Sequence, residues 1–351
     1  MVGKFNELGV ATDYNPSWGL RQDDFVPELR GTRGVKKLRE MRENDPVIGA
    51  ILSAMDLMIR SVEWRVEGGD ESDREFVLSL MHEMDGSTWE SFISDVLSFL
   101  PYGFSLFEIV MKRRADGLIG IRKLAPRPQW TVDRFESNVK GDVLGVWQIA
   151  AQKNIYIPYG KLLHFKTVSI NGEPSGRSVL RNAYTSWRAL NEIKYIEAVA
   201  IERELNGLPI VSVPSEYLND EKHASFLTQV KKIARDVKRN EQGYIILPSD
   251  RYTDEDGKIT NNKMVEFDLI ASKGTRDIDT NQVILRYAQD IARSTMADFI
   301  MLGSNDRGSF ALSKSKADLF LKALEGYLGT ISAVLNRRLL TRMWEVNGMD
   351  Q

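Results

Sequence analysis

Cysteine is absent from this 351-residue chain, and histidine occurs only three times. The first absence excludes disulfide bonds, thiolate nucleophiles and zinc sites built on cysteine. The three histidines, His82, His164 and His223, are far apart, and no pair has the spacing of metal ligands, so we interpret each as a structural or surface residue. The Gly-x-Ser-x-Gly motif that carries a hydrolase nucleophile is also missing. No residue is therefore assigned to catalysis.

Long apolar runs and an excess of one charge are lacking too. No run approaches the roughly 20 apolar residues that a membrane helix needs, and residues 1–30 are polar, without the apolar core of a signal peptide. We therefore expect no membrane partner. The 47 cationic and 49 acidic residues leave a net charge of −2, whereas tight DNA binders are usually basic. Contact with DNA would accordingly be loose.

Two short motifs resemble ligand sites without completing them. Asp254–Gly257 has the acidic residues and glycine of a calcium loop, but the third acidic position and the closing Glu are out of register. Gly303–Ser309 has two glycines at the separation of a phosphate-binding loop, but Ser309 stands where the lysine belongs and a helix precedes it. We interpret both as solvated loops and expect no metal or cofactor. Pairs of carboxylates, which a nuclease would need to bind its metal ions, are frequent in the chain, but no pair stands out from the others. Nuclease activity therefore has no support in the sequence, although motifs alone do not exclude it.

The first half of the chain has the pattern of an α+β domain. Residues 1–33 lack periodicity and are predicted to be an extended arm; helical spacing begins near Gly34, with Pro46 as a break or first helical residue. Alternation at Val62, Trp64 and Val66 predicts a strand, and Thr88 can cap a helix. Further β runs, with Asp116-Gly117 as a hairpin signal, are predicted at Phe104–Met111, Leu118–Leu124, Trp130–Val132, Val143–Ala150, Ile155–Ile157 and Leu162–Phe165.

The second half alternates long helices with a small α/β insert. One helix is predicted from Gly176 to Leu205, a second over Asn281–Leu302 with Thr280 as its cap, and a third over Ala311–Val346. The insert is predicted to comprise strands at Ile210–Val213, Tyr244–Leu247 and Met264–Leu269 and a charged helix at Asp220–Arg239.

Three polar faces of these helices are candidate binding surfaces. Gln282, Arg286, Gln289 and Arg293 recur at helical spacing and form one stripe. A similar stripe is predicted for Arg177, Arg181, Tyr184 and Arg188. The insert helix carries a basic face of Lys231, Lys232, Arg235, Lys238 and Arg239. Ordinary solvated faces of amphipathic helices remain the alternative for all three, and a surface for DNA or an acidic partner is the other possibility.

Several segments, taken in their order, resemble the portal proteins of tailed bacteriophages, close to the group that includes Mu-like portals. The resemblance covers roughly residues 34–348, and each motif alone is weak. The segments are Leu38–Leu52 leading into Val62–Val66, Tyr102–Val110, Gly176–Arg181 with the following helix and Gly207–Ile210, and Gly308–Leu312 running into Leu335–Leu340.

The resemblance implies a portal-type α+β fold with wing, stem and clip. The wing would be residues 34–175 with the long helix 313–346, the stem the helices 176–205 and 281–302, and the clip residues 206–280. Residues 303–312 would be the tunnel loop and 347–351 a short tail. Many portals continue into a helical crown, so a chain that stops at Gln351 implies a crown that is minimal or absent, or a truncation.

The resemblance also implies a non-enzymatic function. Such subunits would form a ring of twelve at one capsid vertex, in the virion and, during assembly, in the host cytoplasm. Double-stranded DNA would pass through without sequence specificity, packaged by a terminase motor, with head-completion, adaptor, capsid and scaffold proteins as further partners. Asn305, Arg307, Lys314 and the stripe Gln282–Arg293 would face the duplex, and the insert's basic face would dock a partner. The alternatives are another ring-forming adaptor of a phage or secretion apparatus, or a DNA-processing enzyme.

Overall fold

The chain folds into two compact units, residues 1–188 with 286–351 and residues 189–285. Both boundaries fall within long helices. The computed structural model describes residues 20, 24–138, 140–168, 172–206, 208–214, 218, 223–238, 250–253, 256–270, 279–299 and 310–349.

The first unit begins with helices whose ends follow from local capping. Asp45, between the first two helices, accepts hydrogen bonds from the backbone N–H groups of Val47 and Ile48, and Pro46 is the first residue of the second helix. Thr88 caps the fourth helix by accepting from the N–H of Ser91. Both predicted signals are thereby confirmed. The helices are α1 Gly31–Asn44, α2 Pro46–Arg60, α3 Glu71–His82, α4 Trp89–Val96 and α5 Phe99–Tyr102.

Two three-stranded antiparallel sheets follow. Their strands are β1 Phe104–Arg113, β2 Ile119–Arg127, β3 Val132–Ser137, β4 Val143–Ala150, β5 Lys153–Pro158 and β6 Leu162–Lys166. The first sheet has the order β2-β1-β6 and the second the order β3-β4-β5. Five of the six predicted runs are confirmed, Val143–Ala150 with its exact bounds and the other four with shifted ends. The run predicted at Trp130–Val132 begins as a 3-10 turn, and its strand starts only at Val132.

The strand predicted at Val62–Val66 is wrong. These residues have no regular secondary structure and pair with no strand of the described chain. The alternation arises because Trp64 and Val66 pack against the main core, where the Trp64 ring lies edge-on to Trp89 at 5.9 Å, while Glu63 and Arg65 are exposed. Alternation of buried and exposed side chains requires only an extended backbone and does not require pairing with another strand.

The main core of the first unit lies between α2–α5, the sheet β2-β1-β6 and the C-terminal helices. Phe92 of α4 contacts Phe107 of β1 at a ring distance of 5.0 Å and Phe165 of β6 at 6.2 Å. The same cluster includes Phe320 and Leu335 from the C-terminal helical region. Residues far apart in sequence are thus joined in one core.

The helix predicted to start at Gly176 starts instead at Tyr184 and continues as α6 to Asn206. Residues 176–183, which form turns from Val179 onwards, are held against α5 and Gly103. Gly176 has φ +56°, and a Cβ there would lie 2.2 Å from the carbonyl oxygen of Gly103, so only glycine fits. The Ser178 hydroxyl donates to the carbonyl of Pro101 at 2.6 Å. These tertiary contacts outweigh the helical spacing of the sequence.

In the second unit, β7 (Leu208–Ser212) pairs with an antiparallel strand later in the chain. The same unit contains the helix α7 (Ala224–Lys238). A hairpin of β8 (Arg251–Thr253) and β9 (Ile259–Lys263) was not predicted. The partner of β7 is β10 (Glu266–Ile270), close to the predicted run. The strand predicted at Tyr244–Leu247 lies outside the described residues.

The remaining helices are α8 (Thr280–Ser294), α9 (Phe310–Val334) and α10 (Thr341–Asn347), with a π-helical segment at Leu335–Leu340. The predicted extension of α8 to Leu302 is wrong. Met296 adopts φ +60°, and the N–H of Ala297 donates to the carbonyl of Ala292 at 2.9 Å, which closes the helix end. The predicted cap Thr280 is the first helical residue; Asp279 caps the helix by accepting from the N–H groups of Asn281 and Gln282.

Candidate nucleic-acid interface

The predicted polar stripe lies on one face of α8. Gln282, Arg286 and Arg293 are exposed and Gln289 is half-buried. The opposite side of α8 is buried at Ala288, Ile291 and Ala292. The face predicted from spacing therefore exists as a solvent-accessible row of amide and guanidinium groups. Those groups can donate hydrogen bonds to phosphate oxygens, the type of contact that positions DNA without reading its sequence.

The two arginines of the stripe make different side-chain interactions. The Arg286 guanidinium lies over the ring of Tyr287, 5.2 Å from its centroid, and the Arg293 side chain, 60% exposed, forms an ion pair with Asp290 at 3.2 Å. A stacked guanidinium keeps its charge and most of its donors available. Asp290 offsets the charge of Arg293, so the net positive charge of the stripe is small.

The residues that follow α8 are anchored on α9. Asp298 pairs with Lys316 at 2.5 Å, and the ring of Phe299 meets Phe320 edge-on at 5.2 Å. Lys314, a predicted channel residue, is exposed near the start of α9. The chain on either side of the predicted tunnel loop is therefore held together by one ion pair and one aromatic contact. The loop residues Asn305 and Arg307 themselves lie outside the described residues.

The basic face of the insert helix is described in part. Lys231 and Lys232 are exposed on α7, whereas Val230 beside them is buried. Arg235 and Lys238 belong to α7, but their side chains are not described, and Arg239 is outside the described residues. The structure thus places the two lysines of this face in solvent.

The stripe predicted from Arg177 to Arg188 does not exist, because Arg177 and Arg181 precede α6 and Tyr184 is buried. Arg181 instead makes a two-point ion pair with Asp24, at 2.7 and 2.8 Å. Asp24 lies 157 positions earlier in the chain, so no local pattern could have revealed it. Arg181 therefore anchors the segment that precedes α1.

Other kinds of site find little support in the described parts of the chain. They hold no group of three His, Asp or Glu side chains arranged to bind a metal ion. None of the helices described is both long enough and apolar enough to cross a bilayer. A cavity of about 680 Å³ forms an open groove between α2, α4–α5 and the start of β1, and none of the residues that line it is a histidine.

Solved structures show the same fold. A chain of "Neck of empty GTA particle computed with C6 symmetry" superposes with a TM-score of 0.62 at 12% identity, covering 96% of this chain and 86% of that chain. A chain of "Neck of native GTA particle computed with C12 symmetry" superposes with a TM-score of 0.59 at 12% identity, covering 95% of this chain and 83% of that chain. A chain of "Virion of native gene transfer agent (GTA) particle" superposes with a TM-score of 0.56 at 13% identity, covering 91% of this chain and 82% of that chain. This fold is thus found in structures of gene transfer agent particles.

The sequence identifies the family. The profile of the portal protein of Mu bacteriophage matches residues 35–351. The chain therefore belongs to the Mu-type portal protein family, as its motifs predicted. No curated protein sequence matches it closely enough to serve as a relative.

Proposed function

We propose that this chain is the subunit of a closed ring that forms the DNA channel at one vertex of a phage capsid. The observation that carries this proposal is the solvent-exposed stripe of α8, Gln282, Arg286 and Arg293, in a protein of the portal family. A ring brings one copy of this stripe from each subunit to a common axis. Amide and guanidinium groups there can contact successive phosphates of a duplex without sequence preference.

The parts of the chain would take the positions that portal architecture gives them. Residues 34–175 and the helices after residue 313 form the wing, α6 and α8 the stem, and residues 206–280 the clip. Residues 303–312 form the tunnel loop, in which Asn305 and Arg307, followed by Lys314, approach the duplex. The ring has twelve subunits, and it assembles in the host cytoplasm before it becomes part of the virion.

The partners follow from the same proposal. The exposed Lys231 and Lys232 of α7, with Arg235, Lys238 and Arg239, form a basic surface for an acidic face of the terminase motor or of a head-completion protein. Capsid and scaffold proteins contact the wing. The protein performs no chemistry itself, and the ATP that drives packaging is hydrolysed by the motor.

Assembly of the purified chain tests this function. Negative-stain electron microscopy and mass photometry are expected to show closed rings, with twelve subunits in the averaged views. A stable monomer at every concentration up to the micromolar range contradicts a ring. Cleavage of plasmid DNA by the purified protein with Mg²⁺ or Mn²⁺ would point to a nuclease instead.

The stripe has a separate test. Arg286→Glu with Arg293→Glu is expected to leave rings intact and to reduce packaged DNA, because charge reversal places carboxylates beside the phosphates. Lys140→Glu with Lys153→Glu, two exposed lysines of β-hairpin regions, makes the matched control. Equal packaging by both double variants contradicts the placement of α8 along the channel.

A further inference from the structure

A fully exposed aromatic side chain is held on a rigid turn before α1. Phe25 is 94% exposed, while its neighbours are fixed. The Asp24 carboxylate is bound at two points by Arg181 and also accepts from the N–H of Val26 at 2.8 Å. Leu29, four residues on, is buried at 1% exposure. Holding a phenyl ring in water costs hydrophobic free energy, and a rigid mount means that little further entropy is lost when the ring is buried by a partner.

A recess is open to solvent elsewhere on the same unit. It lies where α3 ends and α4 begins and has a volume of about 600 Å³. Its floor is formed by the largely buried side chains of Met81, Met84 and Trp89, and its remaining lining residues are polar or glycine: His82, Gly86, Ser87, Thr88, Glu90 and Ser91. Trp89 is 8% exposed, and its indole Nε1 has no hydrogen-bond partner among the described residues. Methionine and tryptophan side chains form favourable surfaces for another aromatic ring.

The surroundings of the two features have opposite charge. Residues 30–39, which follow Phe25, contain five cationic residues and no carboxylate. Residues 67–90, which include the recess, contain eight carboxylates and one arginine. Positive and negative charges are therefore clearly separated along this part of the sequence, although the net charge of the whole chain is only −2. Oppositely charged surfaces steer association and suppress wrong pairings.

Part of this charge is neutralised within the subunit, and part is not. Lys112 pairs with Asp85, Arg114 lies 3.7 Å from Glu83, and Asp70 and Asp73 form the capping box of α3. The carboxylates left over, with no ion pair among the described residues, include Glu71 and Glu75 on the exposed side of α3. Like charges four residues apart on a helix repel each other.

The cationic side has a matching pair of free charges. Arg33 and Lys36 are exposed at adjacent turns of α1 and make no ion pair with a described residue. Lys37 pairs with Glu40, and Arg39 lies over the Trp130 ring. No carboxylate of the described residues occupies Arg33 or Lys36, so the pair is available to a partner surface.

We propose that Phe25 and the Arg33–Lys36 side of α1 in one subunit dock onto the Met81–Trp89 recess and the Glu71–Glu75 side of α3 in the next copy of this chain. The inference rests on the proposed ring and assigns its subunit contact. The two surfaces are different parts of one chain, so the contact is head-to-tail, and repeated contacts of that kind close into a ring. Opposite charges lie on the two surfaces of one sequence, which favours a second copy over another partner.

Charge reversal on each side gives the first test. The double variant R33E/K36E and the double variant E71K/E75K are each expected to assemble poorly alone, with the concentration needed for rings raised at least about tenfold, because each now meets a like charge. An equimolar mixture is expected to recover rings, in which the two variants alternate and every contact again joins opposite charges. Far-UV circular dichroism melts establish that both variants remain folded.

The outcomes separate this inference from the proposed function. If the wild type forms no ring, the ring itself is wrong. If the wild type and both double variants form rings equally well, or if the mixture fails to recover what each variant loses, the contact is wrong while the ring stands. Loss of head-protein binding with normal rings would assign the surfaces to another partner and overturn the proposal.

The aromatic ring has its own variant and control. Phe25→Ser is expected to raise the assembly concentration about tenfold, because a buried aromatic anchor contributes strongly to an interface. Val168→Ser alters a side chain of similar exposure, 85%, that belongs to neither proposed surface, and should leave assembly unchanged. Since Phe25 touches almost nothing within its own chain, a normal melting temperature is expected for both. Equal assembly by the two variants removes Phe25 from the contact.

Discussion

At the scale of single residues, His164 shows how a titratable group becomes purely structural. Its ring stacks on Phe135 at 5.2 Å, and its Nδ1 atom lies 3.0 Å from the Tyr159 hydroxyl. Burial, followed by the charges of Lys166 and Arg338, lowers the pKa of His164 to about 3. The Arg338 guanidinium also lies 4.3 Å from the centroid of the Tyr159 ring. The histidine is therefore neutral in the folded protein, which agrees with its interpretation as a structural residue.

This burial predicts a pH-dependent stability. The ordinary histidine pKa of about 6.5 applies to the unfolded chain, so between pH 6.5 and 3 the unfolded state binds a proton that the folded state does not. Stability conferred by His164 is thus present above pH 6.5 and falls as the pH is lowered, by up to about 1.4 kcal/mol per pH unit. Urea unfolding at pH 7, 6 and 5 should show a shallower decline for His164→Gln than for the wild type.

The exposed His82 supplies the control for that measurement. His82→Gln removes a histidine whose side chain is already in solvent, so its pH profile is expected to match the wild type. An unchanged slope in His164→Gln would mean that carboxylates alone cause the loss of stability in acid.

At the scale of secondary-structure elements, the β4–β5 hairpin carries strain. Its two-residue turn, Ala151-Gln152, has φ values of +49° and +62°. Turns with positive φ at both central residues match the twist of a hairpin, but they favour Asn-Gly because a Cβ is unfavourable there. The strands on either side compensate through the paired Trp147 and Tyr156, whose rings lie 5.3 Å apart.

Relief of this strain should stabilise the first unit. Ala151→Asn with Gln152→Gly is expected to add about 1 kcal/mol to the free energy of unfolding, which corresponds to a rise of a few degrees in melting temperature. Gln152→Ala retains a Cβ and should bring no gain. Differential scanning calorimetry of the three proteins checks this, and equal melting temperatures would show that the turn is not strained in solution.

The elements also show which parts of the fold could be predicted from the sequence. Helix ends with local signals, such as Asp45-Pro46 and Thr88, were predicted correctly, as were most strands of the two sheets. The start of α6 could not be predicted, because Gly176 and Ser178 are bound by the chain near Gly103. The end of α8 depends on Met296, a residue that rarely adopts a positive φ. Tertiary contacts and backbone strain therefore explain why these two helix ends were predicted wrongly.

The candidate site was predictable to a similar degree and for similar reasons. The α8 stripe follows from spacing on a single helix, so its exposure could be expected. The prediction of a stripe with Arg177 and Arg181 was wrong, because the helix begins after both residues and Arg181 forms an ion pair with Asp24. Phe25 has no sequence signal at all, since a phenylalanine in an arm predicted to be extended is as readily buried as exposed.

At the scale of the whole molecule, the chain is nearly neutral, yet Lys231 and Lys232 lie next to each other and exposed on α7 in the second unit. Exposed charges contribute little to folding. Their arrangement instead affects which partner binds and how fast it does so, so the function of this surface can be altered without loss of the fold.

Reversal of the α7 surface is therefore expected to separate assembly from packaging. Lys231→Glu, Lys232→Glu and Arg235→Glu in one protein should leave ring formation and the melting temperature near wild type, because Lys231 and Lys232 are exposed on α7. Packaged DNA should fall, since the acidic partner surface now meets carboxylates, and the defect should lessen at higher ionic strength because salt screens the repulsion. The triple replacement by Gln removes charge without reversing it and should give an intermediate defect. DNA content of purified particles measures the effect, and normal packaging by the Glu variant would show that this surface is only solvated.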